Sequence, residues 1–570
     1  MKRRNFLETL AVSGGLVAVA PISSLAARAE VKQTQQSNGE EQLEADVVVA
    51  GGGLGGFAAA MAALRNGQSV IMTEETDWIG GQLSQQAVPP DEHRWIETTG
   101  ATQLYRDFRN KVRDYYRNNY PLTDETRNNP RLNPGNGSVS ALCHEPRVAV
   151  AVLTDLLNPY LSTGRLVLLL EHKAVDAVTA GDQVKSIRVR SVRDGAEKRL
   201  VAPFFVDATE LGDLLPLTGT EFVTGTESKA QTGELHAPEQ ADPSNNQAFT
   251  LCFAMDYVPG EDHTIEKPRN YHFWRDHVPS LTPPWPGRLL ELHYANPKTL
   301  QPKQLGFDPR GGKTGDVLNL WNYRKIIGRE NFVPGTYSGD ITLVNWPQND
   351  YMLGNIVGVS EAEFDKHVSA AKELNLSFLY WLQTEAPRPD GGKGWPGIRL
   401  RKDVMGTADG MAKYPYVRES RRIKAMFTIL EEHVGKENRA MVAKTNKDKA
   451  AEFYDSVGIG YYHIDLHPSC NGTNYVDFDS LPFQIPLGAL LPVRMKNLLP
   501  ANKNIGTTHI TNGCYRLHPV EWSIGEAVGM LVSYARTRKV TPAEVRKDEQ
   551  MLADFQSFIR SQGIETVWPE

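Results

Sequence analysis

The chain has 570 residues, 40% of them hydrophobic and 23% charged, with a formal net charge of −6. That balance describes an ordinary soluble globular protein, long enough to bury a large core and to form two domains. With no basic block and a mild acidic excess, nothing in it favours nucleic acid as a partner.

Residues 1–29 read as a targeting segment. Arg3-Arg4-Asn5-Phe6-Leu7 matches the core of a twin-arginine export signal and departs from the fuller pattern at Lys2 and Glu8. A weakly apolar stretch follows, and Ala27-Arg28-Ala29 supplies a small-residue cleavage site before Glu30. The apolar stretch contains Gly14, Gly15 and Pro21 and is short for a span. The expectation is engagement of the twin-arginine export machinery, cleavage, a periplasmic bacterial location and no stable membrane span. Residues 30–44, polar and rich in Gln and Glu, are expected to be a disordered mature N-terminus.

Val47-Val48-Val49-Ala50 reads as a buried parallel strand, and Gly51, Gly53 and Gly56 then fill the G-x-G-x-x-G pattern, with Leu54 and Gly55 between them. The first glycine permits the tight turn, the second lets backbone approach a pyrophosphate, and the third lets the helix pack close to the strand. An Ala-rich helix over 57–66 stops at Gly67. Its N-terminus offers unpaired N–H groups and about half a positive charge to phosphates. The next strand, over 69–73, delivers Glu74 roughly 20 residues after the glycines, where a carboxylate accepts ribose hydroxyls. The context specifies a dinucleotide; the motif alone does not separate NAD from FAD.

Further along, residues 104–120 have helical apolar spacing with many charges and read as a surface helix. Residues 121–140 form a Pro/Asn/Gly-rich loop, and 147–161 a helix feeding a strand over 166–170. Alternating segments then lead to Phe204-Phe205-Val206-Asp207-Ala208-Thr209-Glu210, an apolar strand with small and acidic residues at its carboxyl end, where ligands of open α/β sheets bind. The middle of the chain changes character: Trp274, Trp285, Trp321, Trp346, Trp381 and Trp395 fall there, serving either a substrate cavity or simply the core. Near the end, 497–501 reads as a strand and 523–536 as a helix whose first turn holds Gly525, Glu526 and Ala527. Cys143, Cys252, Cys470 and Cys514 contain no C-x-x-C, which excludes the usual haem-attachment, iron–sulfur and dithiol spacings.

With these segments assembled, the chain resembles the FAD-dependent oxidoreductase family of the glutathione-reductase-like flavoprotein superfamily. The resemblance rests on the Gly51–Gly56 motif, Glu74 followed by Gly80-Gly81-Gln82, Asp207-Ala208-Thr209, and the 497–499 strand with its Gly525–Gly529 helix. Arg418-Glu419-Ser420-Arg421-Arg422 and Arg516-Leu517-His518-Pro519 add to it. After Thr209 the family pattern usually continues with Gly, where this chain has Glu210. The resemblance implies an α/β fold: a Rossmann-like FAD-binding domain, discontinuous in sequence, with an inserted α+β substrate domain. The implied boundaries are 45–220 and 451–570 for the FAD-binding domain and 221–450 for the insertion. It implies FAD as cofactor, with ribose at Glu74, pyrophosphate at Gly53–Gly56, adenine beside the backbone of Val175, further contacts from Ala208, Thr209 and Glu210, and isoalloxazine near Gly81, Gln82 and the N-terminus of the Gly525 helix.

The candidate chemistry lies in Tyr461-Tyr462-His463-Ile464-Asp465-Leu466-His467. As a strand it puts Tyr462, Ile464 and Leu466 on one face and His463, Asp465 and His467 on the other. His467 is the first choice for a base, with Asp465 orienting it or holding a charged substrate; two His and one Asp also suit a metal, but acid–base work is preferred and no metal is assigned. Arg418, Arg421 and Arg422 are candidates for gripping an anionic group, and His518 for a proton relay. The expected function is an exported flavoenzyme oxidising a small molecule (an alcohol, sugar, amine or hydroxy acid) by hydride transfer to FAD N5, with electrons passing to oxygen or a carrier. The alternatives are a non-redox FAD-containing lyase or isomerase acting on carbohydrate, and an inactive periplasmic binding protein.

Overall fold

A computed structural model of the chain describes residues 30–35 and 41–569. The twin-arginine motif and the cleavage site lie outside the described residues. The strands that frame the site begin with β1 (Lys32–Gln35), β2 (Glu41–Glu44) and β3 (Val47–Ala50). Helix α1 (Leu54–Arg65) and β4 (Val70–Glu74) follow, then β5 (Leu166–Leu170), β6 (His172–Ala180), β7 (Gln183–Ser191), β8 (Glu197–Val201) and β9 (Phe204–Asp207).

Five strands form a parallel sheet in the order Leu498–Pro500, β9, β3, β4, β5. Such a sheet is covered on both faces, so its strands carry unbroken apolar runs rather than alternation. Val47, Val48, Val49 and Ala50 are all buried, as are Phe205, Val206, Leu498 and Leu499. The closing strand comes from the far end of the chain, which makes this part of the fold discontinuous in sequence.

A second five-stranded sheet, ordered β1-β2-β8-β7-β6, packs on the first. It corrects one expectation. Residues 32–35 and 41–44, read as disordered, pair antiparallel with each other, and β2 pairs parallel with β8. β1 is the edge and β2 lies next to it, and Leu43, opposite Leu200, is the one buried side chain that ties β2 into the core. The polarity that suggested disorder belongs to the exposed face.

Helix α1 lies against the helix His518–Arg538, and glycines set the spacing. A Cβ on Gly525 would meet the Gly55 carbonyl oxygen at 2.0 Å, and one on Gly529 would meet that of Ala59 at 2.2 Å. This helix starts five residues earlier than the 523–536 expected. Pro519 sits in its first turn, where a missing N–H costs nothing. Gly525 is therefore two turns inside the helix, not at its N-terminus.

In the middle of the chain an antiparallel sheet runs Lys325–Ile327, Ile341–Val344, Phe253–Tyr257, Ile398–Leu400, with the helix Glu361–Thr384 sharing its core. All six tryptophans of this region are buried. Phe222–Val223 pairs antiparallel with Arg422–Ile423.

Candidate active site and cofactor cradle

The turn from β3 into α1 lies at the carboxyl edge of the parallel sheet. The N-cap Gly53 gives helix α1 no side-chain cap, so apart from the Gly55 N–H, which Glu521 accepts (3.3 Å), its first N–H groups face what lies beyond the turn. A Cβ on Gly53 would approach no backbone, only the side-chain tips of Glu210, Asn502 and Glu521. Gly51 and Gly56 serve packing instead: a Cβ would strike the carbonyl oxygen of Ala208 from Gly51, and that of Gly51 from Gly56.

Glu74 closes β4 beside this turn. Its carboxylate accepts N–H bonds from Gly52 (2.9 Å) and Thr76 (2.8 Å), and burial pushes its pKa up to about 7 despite them. A cavity beyond it is lined by Gly51, Glu74, Ala174, Thr209, Glu210 and Tyr414. The neighbouring Val175 sits at a bulge of β6 between Ala174 and Asp176, outside the regular pairing with β7. Glu210 is held by Lys503 (Oε2–Nζ 2.6 Å), which also lies 3.5 Å from Glu521. Burial alone would lower the Lys503 pKa; the two carboxylates outweigh it and raise it.

The Gly80-Gly81 turn folds onto the start of α1. A Cβ on Gly81, at φ +54°, would stand 3.0 Å from Gly53 Cα and 3.1 Å from the Leu54 nitrogen. Gln82 donates to the Arg516 carbonyl (2.9 Å) and to Glu521 (2.6 Å), while Glu521 also accepts from the Gly55 N–H (3.3 Å). Gln82 Oε1, Glu210 Oε1 and both amide atoms of Gln86 are buried without a protein partner.

Gly525, Glu526 and Ala527 are not part of this cradle. Gly525 packs on Gly55, and Glu526 accepts from Trp522 within its own helix. The helix end that faces the Gly80–Asp91 segment is at His518. There, Nδ1 accepts from the Asp91 N–H (3.1 Å) and Nε2 donates to the Val88 carbonyl (3.2 Å). Burial holds the ring at a pKa of about 4, neutral, with both nitrogens engaged by backbone. His518 thus anchors a loop and has no nitrogen left for a proton relay.

A second cavity, of about 290 Å³, opens on the other side of Arg516. His463, Asp465 and His467 all line it, together with Arg418 and, against the face expected from alternation, Tyr462. Only Ile464–Leu466 is regular strand, so the alternation does not extend back to Tyr462. His467 Nδ1 is 2.6 Å from Asp350 Oδ2, and its Nε2 is 3.7 Å from Asp465 Oδ2. Burial and Arg418 would lower the His467 pKa, but the two carboxylates prevail and raise it. Asp465 in turn accepts from Arg516 (2.9 Å), and despite burial the cations around it hold it well below the usual carboxylate range.

The sequence assigned the orienting role to Asp465; the geometry gives it to Asp350, which no local pattern marked. Asp350 stands opposite Thr250 in a two-residue antiparallel pair and also binds Arg418 (3.0 Å). Arg324, paired with Asp91 at 3.3 Å, and the rings of Tyr294, Tyr323, Tyr416 and Tyr475 were likewise unmarked. Arg421 turns away to Asp213 and the Leu211 carbonyl, and Arg422 is buried against Glu227 and the carbonyls of Gly225 and Thr507. Of the six middle tryptophans, Trp346 alone lines this cavity; the core reading holds for the others.

A family model described as FAD dependent oxidoreductase matches residues 46–559. The chain belongs to that family. Its cofactor is FAD, and the cradle fits it: a helix whose N-cap is a glycine without a side-chain cap, side-chain tips nearest that glycine, and buried polar atoms on Gln82, Gln86 and Glu210 without protein partners. Among solved structures, the chain is similar to an E. coli quinol fumarate reductase variant at 10% identity, covering 91% of this chain and 74% of that one, with a TM-score of 0.29. It is also similar to L-proline dehydrogenase from P. horikoshii, at 14% identity over 33% of this chain and 24% of that chain (TM-score 0.17). A myxobacterial chondrochloren halogenase shows 14% identity over 39% and 45% (TM-score 0.21). The chain thus spans less than half the length of the latter two. No curated protein matches it. No helix among the described residues is long and apolar enough to cross a membrane.

Proposed function

We propose that this family member oxidises a small, hydroxyl-rich, carbohydrate-like substrate in the Arg516-side cavity, with His467 as the base. The carrying observation is the imidazole of His467, pinned at Nδ1 by Asp350 and placed on the cavity wall next to Asp465. Bound FAD supplies the two-electron acceptor for a hydride and passes the electrons to oxygen or a carrier. The protein's part is to hold the substrate and move its proton. Asp350 fixes the ring so that Nε2 takes the hydroxyl proton, and stabilises the imidazolium that results.

The cavity chemistry favours a sugar or polyol over a hydroxy acid. Arg324, Arg418 and Arg516 each already face an aspartate, so none of the three is left for a carboxylate; the exposed Lys303, over the Tyr294 ring, is the lining cation outside these pairs. Tyrosine rings and Trp346 supply flat apolar faces between polar groups. The volume sits at the low end of the roughly 300–1,000 Å³ usual for small-molecule sites, suiting one or two sugar rings rather than a polymer.

An anaerobic visible spectrum of the purified holoprotein, recorded while sugars, polyols, amines and hydroxy acids are added, tests this. Bleaching by sugars or polyols, lost in His467→Ala with the flavin retained, is expected. Bleaching by amines or hydroxy acids alone overturns the substrate class; no bleaching by any overturns the redox reading. Export through the twin-arginine route is part of the same proposal. It predicts that replacing Arg3 and Arg4 by Lys leaves the protein in the cytoplasm.

A further inference from the structure

The strands Ile464–Leu466 and Val476–Phe478 form an antiparallel hairpin at the edge of the substrate cavity. Their register sets Asp465 directly opposite Asp477. Like charges at facing positions of a ladder destabilise it unless a cation intervenes. Asp465 has one in Arg516, which engages Oδ2, as does the more distant His467 Nε2. Asp477 does not have an equivalent partner. Its side chain is only 9% exposed, its Oδ2 is 3.9 Å from His463 Nε2, and its Oδ1 is buried with no partner.

We propose that His463, Asp465 and Asp477 form a binding site for one divalent transition-metal cation of the zinc or manganese class. One atom from each of the three residues lies within 4.8 Å of the others. Tetrahedral ligation at about 2.0–2.2 Å brings ligand atoms to roughly 3.4 Å apart, so the site closes by about an ångström on filling. The adjustment falls on His463, whose side chain is 36% exposed and packed against the Tyr462 ring, while the hairpin fixes the two aspartates. Asp465 Oδ1 and Asp477 Oδ1 carry none of the contacts just described and become the oxygen ligands. A mixed nitrogen and oxygen donor set favours zinc or manganese over magnesium, which prefers an all-oxygen octahedron.

Three protein ligands leave at least one coordination position open, as in sites where a metal meets water or substrate. All three residues line the cavity, so the open position faces it. There the cation binds a substrate hydroxyl oxygen and fixes the substrate relative to His467. The site itself stands whether or not the substrate is a sugar.

The test is calorimetric titration of chelator-treated, FAD-loaded protein with zinc chloride, in parallel with His463→Gln and Asp477→Asn. Wild type is expected to take up one equivalent. Each variant is expected to bind more weakly by 100-fold or more, beyond the roughly 10–100-fold that loss of an outer-sphere partner costs. An unchanged flavin spectrum and melting temperature show that the variants are folded. His463→Gln, altered at a partly exposed side chain, keeps the test alive if Asp477→Asn does not fold. Displacement of bound manganese by zinc, followed by electron paramagnetic resonance on wild type, needs no variant. Absence of saturable binding, or binding that survives in His463→Gln, overturns the proposal.

Discussion

His467 Nδ1 and Asp350 Oδ2 lie 2.6 Å apart although 117 residues of chain separate them. The pair joins the hairpin at the cavity edge to the short strand beside Thr250. In Asp350→Asn the ring loses its orientation and its charge partner. Turnover should fall by about 10²–10⁴, the range for general acid–base groups. Because the Asp350 carboxylate raises the His467 pKa, the rising limb of the pH–rate profile should move to lower pH in the variant. A fall in turnover with an unmoved limb would remove His467 as the base. The same variant leaves Arg418 without its carboxylate, at a cost of about 3–5 kcal/mol in stability, visible as a lower melting temperature. In wild type the His467 pair stabilises fully below about pH 6.5, the ordinary histidine value. That contribution is lost as pH rises through the raised pKa of the folded state.

Glu74 has its carboxylate committed to the Gly52 and Thr76 N–H groups, at the place where the ribose is expected. Glu74→Ala should weaken FAD binding by about 10–100-fold, the equivalent of one charged hydrogen bond worth about 1.5–3 kcal/mol. Titrating the apoprotein with FAD and following quenching of flavin fluorescence measures it. An unchanged dissociation constant would move the ribose elsewhere.

Gly525→Ala places a methyl group 2.0 Å from the Gly55 carbonyl oxygen, which is backbone and cannot swing aside. Helix α1 has to shift at its first turn. A drop in melting temperature of several degrees and reduced flavin content should appear together, because one displacement causes both. Loss of flavin with an unchanged melting temperature would instead favour direct contact of Gly525 with the cofactor.

Glu526 is fully buried and accepts from Trp522, and burial raises its pKa to about 7. A carboxyl whose folded pKa is raised stabilises below its unfolded value and costs stability as pH rises through the folded one. Glu526→Gln removes that cost. The variant should be more stable than wild type by about 1–3 kcal/mol at pH 8 and show no such gain at pH 5. Chemical denaturation at the two pH values decides it.

Local patterns marked much of this molecule. Val47 to Ala50, the glycines, Glu74 and the 166–170 strand stand where periodicity and turn chemistry put them, because each is decided within about ten residues of itself. The period of two grouped His463, Asp465 and His467, which do share one wall, but it holds as strand only over Ile464–Leu466 and put Tyr462 on the wrong face. What escaped were partners brought in by tertiary folding. Asp350, Asp91 and Arg324 carry no periodic signature, and Asp350 reaches His467 only because Thr250 and Asp350 pair across a two-residue strand. The start of the last long helix, expected at 523, lies at His518, with Pro519 in its first turn, where proline is tolerated. In residues 32–44, polar composition outvoted a single inward Leu43.

The sheet under the cofactor cradle draws four strands from the first 207 residues and its last from Leu498–Pro500. On the ribosome, the first four are synthesised long before the fifth exists. During that interval β9 presents an unpaired edge, with Phe205 and Val206 awaiting Leu498 and Leu499. The helix that closes on α1 emerges later still. A growing chain therefore cannot complete its grip on FAD until Leu498–Pro500 and the helix His518–Arg538 have been made, so loading follows their synthesis.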